Sequence, residues 1–136
     1  MPYKRKVRVI FVGSGDVCRA QMALAIAERL GDALLEARAF TLHAEAITSA
    51  AQNNLNALNV APAPNPTQFD DTQLAWADFI VTLDRSADVA CSPLPSTTQK
   101  RCYPFAPPQD ETSFKSVYAG LEARISGMLG GIRMIV

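Results

Sequence analysis

The segment 7–22 constrains the fold of this chain more than any other, because it combines a strand, a glycine-containing turn and a helix. Residues 9–12 are apolar and mostly β-branched, which predicts a buried strand. Gly13 and Gly15 mark the turn, and apolar residues recur at helical spacing after it. Such a turn directs backbone N–H groups and the positive end of a helix dipole at one point, where an oxyanion is stabilised.

The predicted oxyanion site is continuous in sequence and has phosphate or sulfate as its expected ligand. Arg19 lies in the first helical turn, where its fork of donors matches two oxygens of such an anion. Asp16 opposes a dianion unless its carboxylate points away. In a second interpretation, Arg19 only ties the empty loop to neighbouring carbonyl groups. The predicted binding residues are Gly13, Ser14, Gly15, Asp16, Val17, Cys18 and Arg19.

Strand and helix patterns alternate along the rest of the chain, without repeats. This alternation predicts an open α/β sheet of parallel strands with helices on both faces. Ligands of such sheets bind at the carboxyl ends of the strands, where we expect the loop 13–19 and the loop 103–110 to meet. The predicted elements are a strand at 34–41, a helix at 44–58, an extended proline-rich connection at 61–66, a short helix at 70–76, strands at 79–83 and 98–103, and a closing helix that ends at Gly130 and Gly131.

Composition limits the number of domains and the classes of partner. The chain has 136 residues, 49% of them hydrophobic, which suits one domain spanning 1–136. Thirteen basic and thirteen acidic residues cancel, so no net charge favours nucleic acid. No apolar run is long enough for a membrane span or a signal peptide. Three cysteines, an odd number, suit a reducing compartment, and a cytoplasmic location is expected.

The loop resembles the phosphate-binding loop of the low-molecular-weight protein tyrosine phosphatases and thioredoxin-coupled arsenate reductases. That family has the pattern Cys-x-Gly-Asn-x-Cys-Arg-Ser at the end of its first strand. Gly15, Cys18 and Arg19 match the pattern, while Asp16 replaces its asparagine. Gly13 stands where the family has its nucleophilic cysteine. The resemblance therefore implies an anion-binding loop without its reactive thiol.

The resemblance extends over nearly the whole chain and implies a three-layer fold with a four-stranded parallel sheet in the order 2-1-3-4. Residues 77–83 resemble the family's third strand. The segment that follows resembles the part of the arsenate reductases with two redox cysteines, of which Asp84 replaces the first and Cys91 matches the second. The loop 103–108 resembles the family's loop with a general-acid aspartate, whose position is Pro107 here.

These replacements predict a pseudoenzyme that retains an oxyanion-binding loop and acts in binding or regulation. The nucleophile position is Gly13, the general-acid position is Pro107 and the redox-cysteine position is Asp84. Two alternatives remain open. One is a weakly active phosphatase or arsenate reductase that uses Cys18, and the other is a protein-interaction module with an unknown protein partner.

Other chemistry has less support in the sequence. His43 is the only histidine and no cluster of metal ligands accompanies it, so we expect no metal and no cofactor. Gly13 and Gly15 could begin a dinucleotide-binding fingerprint with Glu36 as ribose partner, but Cys18 occupies the position of the third glycine. Trp76 is expected to lie in the core.

Overall fold

Four parallel strands form the centre of the fold: β1 (Val7–Gly13), β2 (Leu35–Thr41), β3 (Phe79–Thr82) and β4 (Gln99–Cys102). Their order in the sheet is β2-β1-β3-β4, which confirms the predicted order. The structure is a computed structural model that describes residues 6–14, 17–31, 33–42, 48–60, 71–91 and 98–135. The proline-rich connection at 61–66 and His43 lie outside the described residues.

Helices cover both faces of the sheet, as predicted. One face packs against α1 (Val17–Gly31), α2 (Ser49–Ala57) and α5 (Glu111–Ile135), and the other against α3 (Asp71–Trp76) and α4 (Arg85–Ala90). Strand β1 lies between β2 and β3, and its residues 9–12 have no exposed surface. Alternate side chains of β1 point to opposite faces, so this strand contributes to both apolar layers.

The end of the closing helix differs from the prediction. Gly130 and Gly131 do not stop α5, which continues to Ile135. Each glycine in a helix interior costs only about 1 kcal/mol relative to alanine. Leu129 and Ile132 are 1% and 2% exposed, and burial of two large side chains outweighs that cost. The apolar residue Ile132 thus belongs to the core.

The ends of the other helices either agree with the prediction or differ from it for a local reason. Helix α1 ends at Gly31, where the sequence predicts a break. Helix α2 begins at Ser49, later than predicted, because the Thr48 side chain accepts a hydrogen bond from the Ala51 N–H and caps the helix there. Helix α4 is not among the predicted elements, although its N-cap, Asp84, has a typical capping side chain.

Trp76 lies at the margin of the core rather than inside it. Its ring packs against the smaller apolar layer and is half-buried. The Arg38 guanidinium lies 3.8 Å from the ring centroid and that of Arg8 lies 5.5 Å from it. Two cations over one indole make a local contact that covers part of the ring. No helix within the described ranges is long and apolar enough to cross a membrane.

Candidate oxyanion-binding loop

The candidate loop begins at the carboxyl end of the central strand. Gly13 is the last residue of β1, and its carbonyl accepts a hydrogen bond from the Leu42 N–H at 3.0 Å. Helix α1 begins at Val17, so its N-terminus follows this turn at once. Gly15 and Asp16 lie outside the described residues. Gly13, which the sequence resemblance aligns with the nucleophilic cysteine, is buried and has no side chain that could react.

Arg19 connects this loop to two distant segments. Its side chain is 2% exposed although it carries a full charge. Nη1 donates a hydrogen bond to the Phe105 carbonyl at 2.7 Å, and Nη2 lies 3.1 Å from Asp84 Oδ2. A buried guanidinium requires such partners, because desolvation of an uncompensated charge costs several kcal/mol. The helix α1, the end of β3 and the segment after β4 are therefore held at one point.

Asp84 is the carboxylate that organises this point. Oδ1 accepts a hydrogen bond from the Ala87 N–H at 2.8 Å and thereby caps α4. Oδ2 accepts one from the Ser14 N–H at 2.9 Å. Burial raises the pKa of Asp84, but the hydrogen bonds from Ala87 and Ser14 and the charge of Arg19 outweigh it and hold the pKa below its ordinary value.

The carboxylate of Asp84 thus occupies the point where two groups that are expected to bind an oxyanion converge. Both the Ser14 amide and the Arg19 guanidinium donate toward Oδ2. This geometry agrees in part with the second interpretation of Arg19, since the side chain does bind the Phe105 carbonyl. An oxyanion at this loop has to compete with an internal carboxylate for Arg19, and it experiences the negative charge of that carboxylate at short range.

The three cysteines occupy different environments, and none forms a disulfide. Cys18 is 4% exposed and packs into the larger apolar layer, whereas reactive thiolates lie in partly exposed, electropositive surroundings. Cys91 is 1% exposed, and burial raises the pKa of its thiol to about 11. Only Cys102, on the edge strand β4, is exposed.

The loop that follows β4 lies beside the Arg19 site. Phe105 donates its N–H to the Leu83 carbonyl at 3.0 Å, and its own carbonyl binds Arg19. Pro107, which the sequence resemblance aligns with the general-acid aspartate, is exposed and has no proton to donate. Asp110 lies nearby in sequence, but its Oδ1 accepts a hydrogen bond from the Ser113 N–H at 2.8 Å, which holds its pKa below the ordinary value. Asp110 therefore stays ionised, and its carboxylate binds a backbone N–H group in the first turn of α5.

Solved structures with the same architecture include both phosphatases and an arsenate reductase. The YwlE arginine phosphatase from Geobacillus stearothermophilus is 17% identical, with a TM-score of 0.75 over 94% of each chain. A low-molecular-weight protein tyrosine phosphatase from Streptococcus pyogenes is 18% identical, with a TM-score of 0.64 over 88% of this chain and 91% of that one. The chain has the low-molecular-weight phosphatase fold. An arsenate reductase in its phosphate-binding state is 18% identical, with a TM-score of 0.71 over 93% of this chain and 98% of that one.

Comparisons with family models and with curated protein sequences do not detect the likeness that the motifs indicate. No family model matches the chain, and no curated protein sequence matches it significantly. At identities below one quarter, these structural matches establish the low-molecular-weight phosphatase fold, and the chemistry of the loop has to be argued from its own residues. Among the residues with described positions, no group of three potential metal ligands comes together.

Within this low-molecular-weight phosphatase fold, sequence reasoning missed two partners of Arg19. Asp84 was singled out only as the replacement of a redox cysteine, although it follows β3 and therefore lies at the same edge of the sheet as the loop. Its position after a buried strand was the signal that could have identified it. The Phe105 partner is a backbone carbonyl, which every residue carries, so no side-chain pattern could have identified it.

Proposed function

We propose that this protein is a pseudoenzyme of the low-molecular-weight tyrosine phosphatase and arsenate reductase family, and that it acts by binding. One observation carries the proposal: Gly13 ends β1 at the nucleophile position with no side chain. Covalent catalysis of this kind needs a thiolate at that point. The proposal treats 1–136 as one domain in the cytoplasm, with an unknown protein as a further partner.

Two further features support the absence of catalysis. Pro107 cannot protonate a leaving group, and Asp110 is held ionised by its hydrogen bonds to Ser113. Loss of a general acid lowers the rate of such reactions by roughly a hundredfold to ten-thousandfold. The burial of Cys18 argues against its use as a substitute nucleophile. Steady-state turnover of an aryl phosphate, or arsenate reduction coupled to thioredoxin, that disappears in Cys18→Ser would contradict the proposal.

The ligand we propose for the loop is a phosphate-like oxyanion, bound by residues of the segment 13–19. The N-terminus of α1 and the Arg19 guanidinium supply the positive potential. The Asp84 carboxylate competes for the same donors, so binding is weak while Asp84 is ionised. An arsenate reductase of the same fold has a phosphate-binding state, which supports phosphate as the kind of ligand.

The test is a titration with inorganic phosphate, measured by calorimetry and by thermal shift, on the wild type and on Asp84→Asn. The asparagine removes the charge and keeps one acceptor oxygen, which can serve the Ala87 amide, while its NH2 group replaces the oxygen that accepts from the Ser14 amide. We expect phosphate affinity to rise at least about tenfold, because the nearby negative charge is gone. Glu111→Gln is the matched control: it also removes one negative charge, from an exposed pair with Lys115, and should leave the affinity unchanged.

A second variant tests whether the Arg19 side chain itself is needed for phosphate binding. Asp84→Asn/Arg19→Met removes both charges, so no buried charge is left without its partner. Phosphate binding should be lost in this variant while folding, checked by circular dichroism, is retained. If neither the wild type nor Asp84→Asn responds to phosphate, sulfate or arsenate, the oxyanion proposal is wrong and the protein-interaction module is favoured.

A further inference from the structure

A cavity of about 490 Å³ lies between the edge strand β4 and the second half of α5. Volumes of roughly 300–1,000 Å³ are typical of small-molecule sites. The cavity is separate from the loop described above, since neither Arg19 nor Asp84 lines it, and it includes the first residues of β3 and β4. Its lining consists of Phe79, Gln99, Arg101, Tyr103, Ala123, Arg124, Gly127, Met128, Gly131 and Ile132.

The cavity carries two positive charges and no negative one. Arg101 and Arg124 are its charged lining residues, in a chain whose net charge is zero. Arg101 Nη2 bonds to the neutral Gln99 Oε1 at 3.3 Å. Among the ion pairs of the described residues, neither arginine has a carboxylate within 4.0 Å. Two guanidinium groups that line one cavity without a carboxylate partner favour an anionic ligand there.

Part of the cavity wall is apolar. Phe79, Met128 and Ile132 are between 2% and 8% exposed, so each presents a small surface to the cavity and packs into the core with the rest of its side chain. The Arg101 guanidinium lies 5.5 Å from the Phe79 ring centroid, and that of Arg124 lies 5.5 Å from the Tyr103 ring centroid. Each charge is therefore adjacent to an aromatic surface, which suits a ligand that has both an anionic and an apolar part.

Glycines on α5 leave the room for such a ligand. Gly127 and Gly131 lie one turn apart on the helix and both line the cavity. A Cβ atom built at Gly127 meets no atom within 4 Å. A larger side chain at this position would fill space that is now open to a ligand.

We propose that this cavity binds a small organic anion, in which a carboxylate or phosphate group pairs with Arg101 and Arg124 and an aromatic body packs on Phe79 and Met128. The occupant is a small molecule because the site is a cavity of ligand size with localised charge. It is an anion because both charged lining residues are cationic. The site is additional to the oxyanion loop and does not depend on that loop's function.

Calorimetric titration with naphthoate tests the proposal on the full chain. We expect saturable binding to one site, about tenfold weaker binding of neutral naphthalenemethanol, and a similar loss for naphthoate in Arg101→Met/Arg124→Met. Naphthyl phosphate distinguishes the two head groups, since tighter binding assigns the site to phosphate and weaker binding to carboxylate. Equal binding of naphthoate and its neutral analogue overturns the proposal.

Gly127→Leu locates the site without changing charge. It should abolish naphthoate binding, because the leucine side chain fills the cavity. Gly130→Leu is the matched control: a Cβ atom there also meets nothing within 4 Å, but the residue does not line the cavity. Naphthoate binding that survives Gly127→Leu, or that is lost equally in Gly130→Leu, contradicts the proposed location.

Discussion

Asp84 Oδ2 lies 3.1 Å from Arg19 Nη2, and the two side chains are only 16% and 2% exposed. This ion pair joins residues that are far apart in sequence and lies at the carboxyl edge of the sheet. The same carboxylate receives the Ser14 amide and caps α4. The pair is therefore both a support for the loop and a competitor of any anion that binds there.

Removal of the Asp84 side chain should destabilise the protein strongly. In Asp84→Ala, Arg19 keeps its buried charge without the carboxylate, and α4 loses its cap. We expect a loss of about 3 kcal/mol or more in the free energy of unfolding, measured by urea denaturation. Glu111→Ala, which breaks an exposed ion pair with Lys115, should cost less than about 1 kcal/mol. Similar losses for the two variants would contradict a structural role of the buried pair.

Stability should fall in acid partly through Asp84. Its folded-state pKa is lowered below the ordinary value of 3.8, so the unfolded chain binds the proton first as the pH drops. The stabilisation is therefore complete above about pH 5 and is lost as the pH falls through the folded-state pKa. The free energy of unfolding in urea, measured from about pH 6 to about pH 2, should depend less on pH for Asp84→Asn than for the wild type. If the free energy of unfolding depends on pH equally in both proteins, Asp84 has the same pKa in the folded and unfolded states.

Only one thiol should react rapidly in the native protein. Cys102 is exposed, whereas Cys18 and Cys91 are buried and the pKa of Cys91 is raised to about 11. An aromatic disulfide reagent at neutral pH should therefore label Cys102 quickly and the other two only on unfolding. Cys102→Ser removes the fast phase. A fast phase that persists in this variant and disappears in Cys18→Ser would instead assign reactivity to Cys18.

Glycine substitutions in α5 should have opposite effects according to their surroundings. At Gly130 a Cβ atom meets nothing within 4 Å, so Gly130→Ala should stabilise the protein by about 1 kcal/mol through helix propensity. At Gly120 a Cβ atom would lie 2.5 Å from Phe105 Cε1. Gly120→Ala should destabilise by roughly 1–3 kcal/mol, because the Phe105 ring has to move and its carbonyl holds Arg19. Thermal denaturation of both variants checks the sign of each effect.

Much of the fold could be predicted from local patterns. The apolar residues 9–12 and the glycines after them indicated the first strand and turn, and Gly31 marked the end of α1. The prediction was wrong at the end of α5, where burial of side chains determines how far the helix extends. Gly130 has a low helix propensity, yet α5 passes through it because Leu129 and Ile132 are anchored in the core. Propensity acts over a few residues, and tertiary packing overrides it.

From residue types along 7–22 we could predict β1, the glycine-containing turn after it and the start of α1, and Gly13 offers no side chain that could act as a nucleophile. Those features depend on residue type and short-range spacing. The partners of Arg19 depend on the folded arrangement, because Asp84 and the Phe105 carbonyl reach it through the packing of separate strand ends. The charges around the loop depend on that meeting point, because three distant segments largely bury one ion pair there.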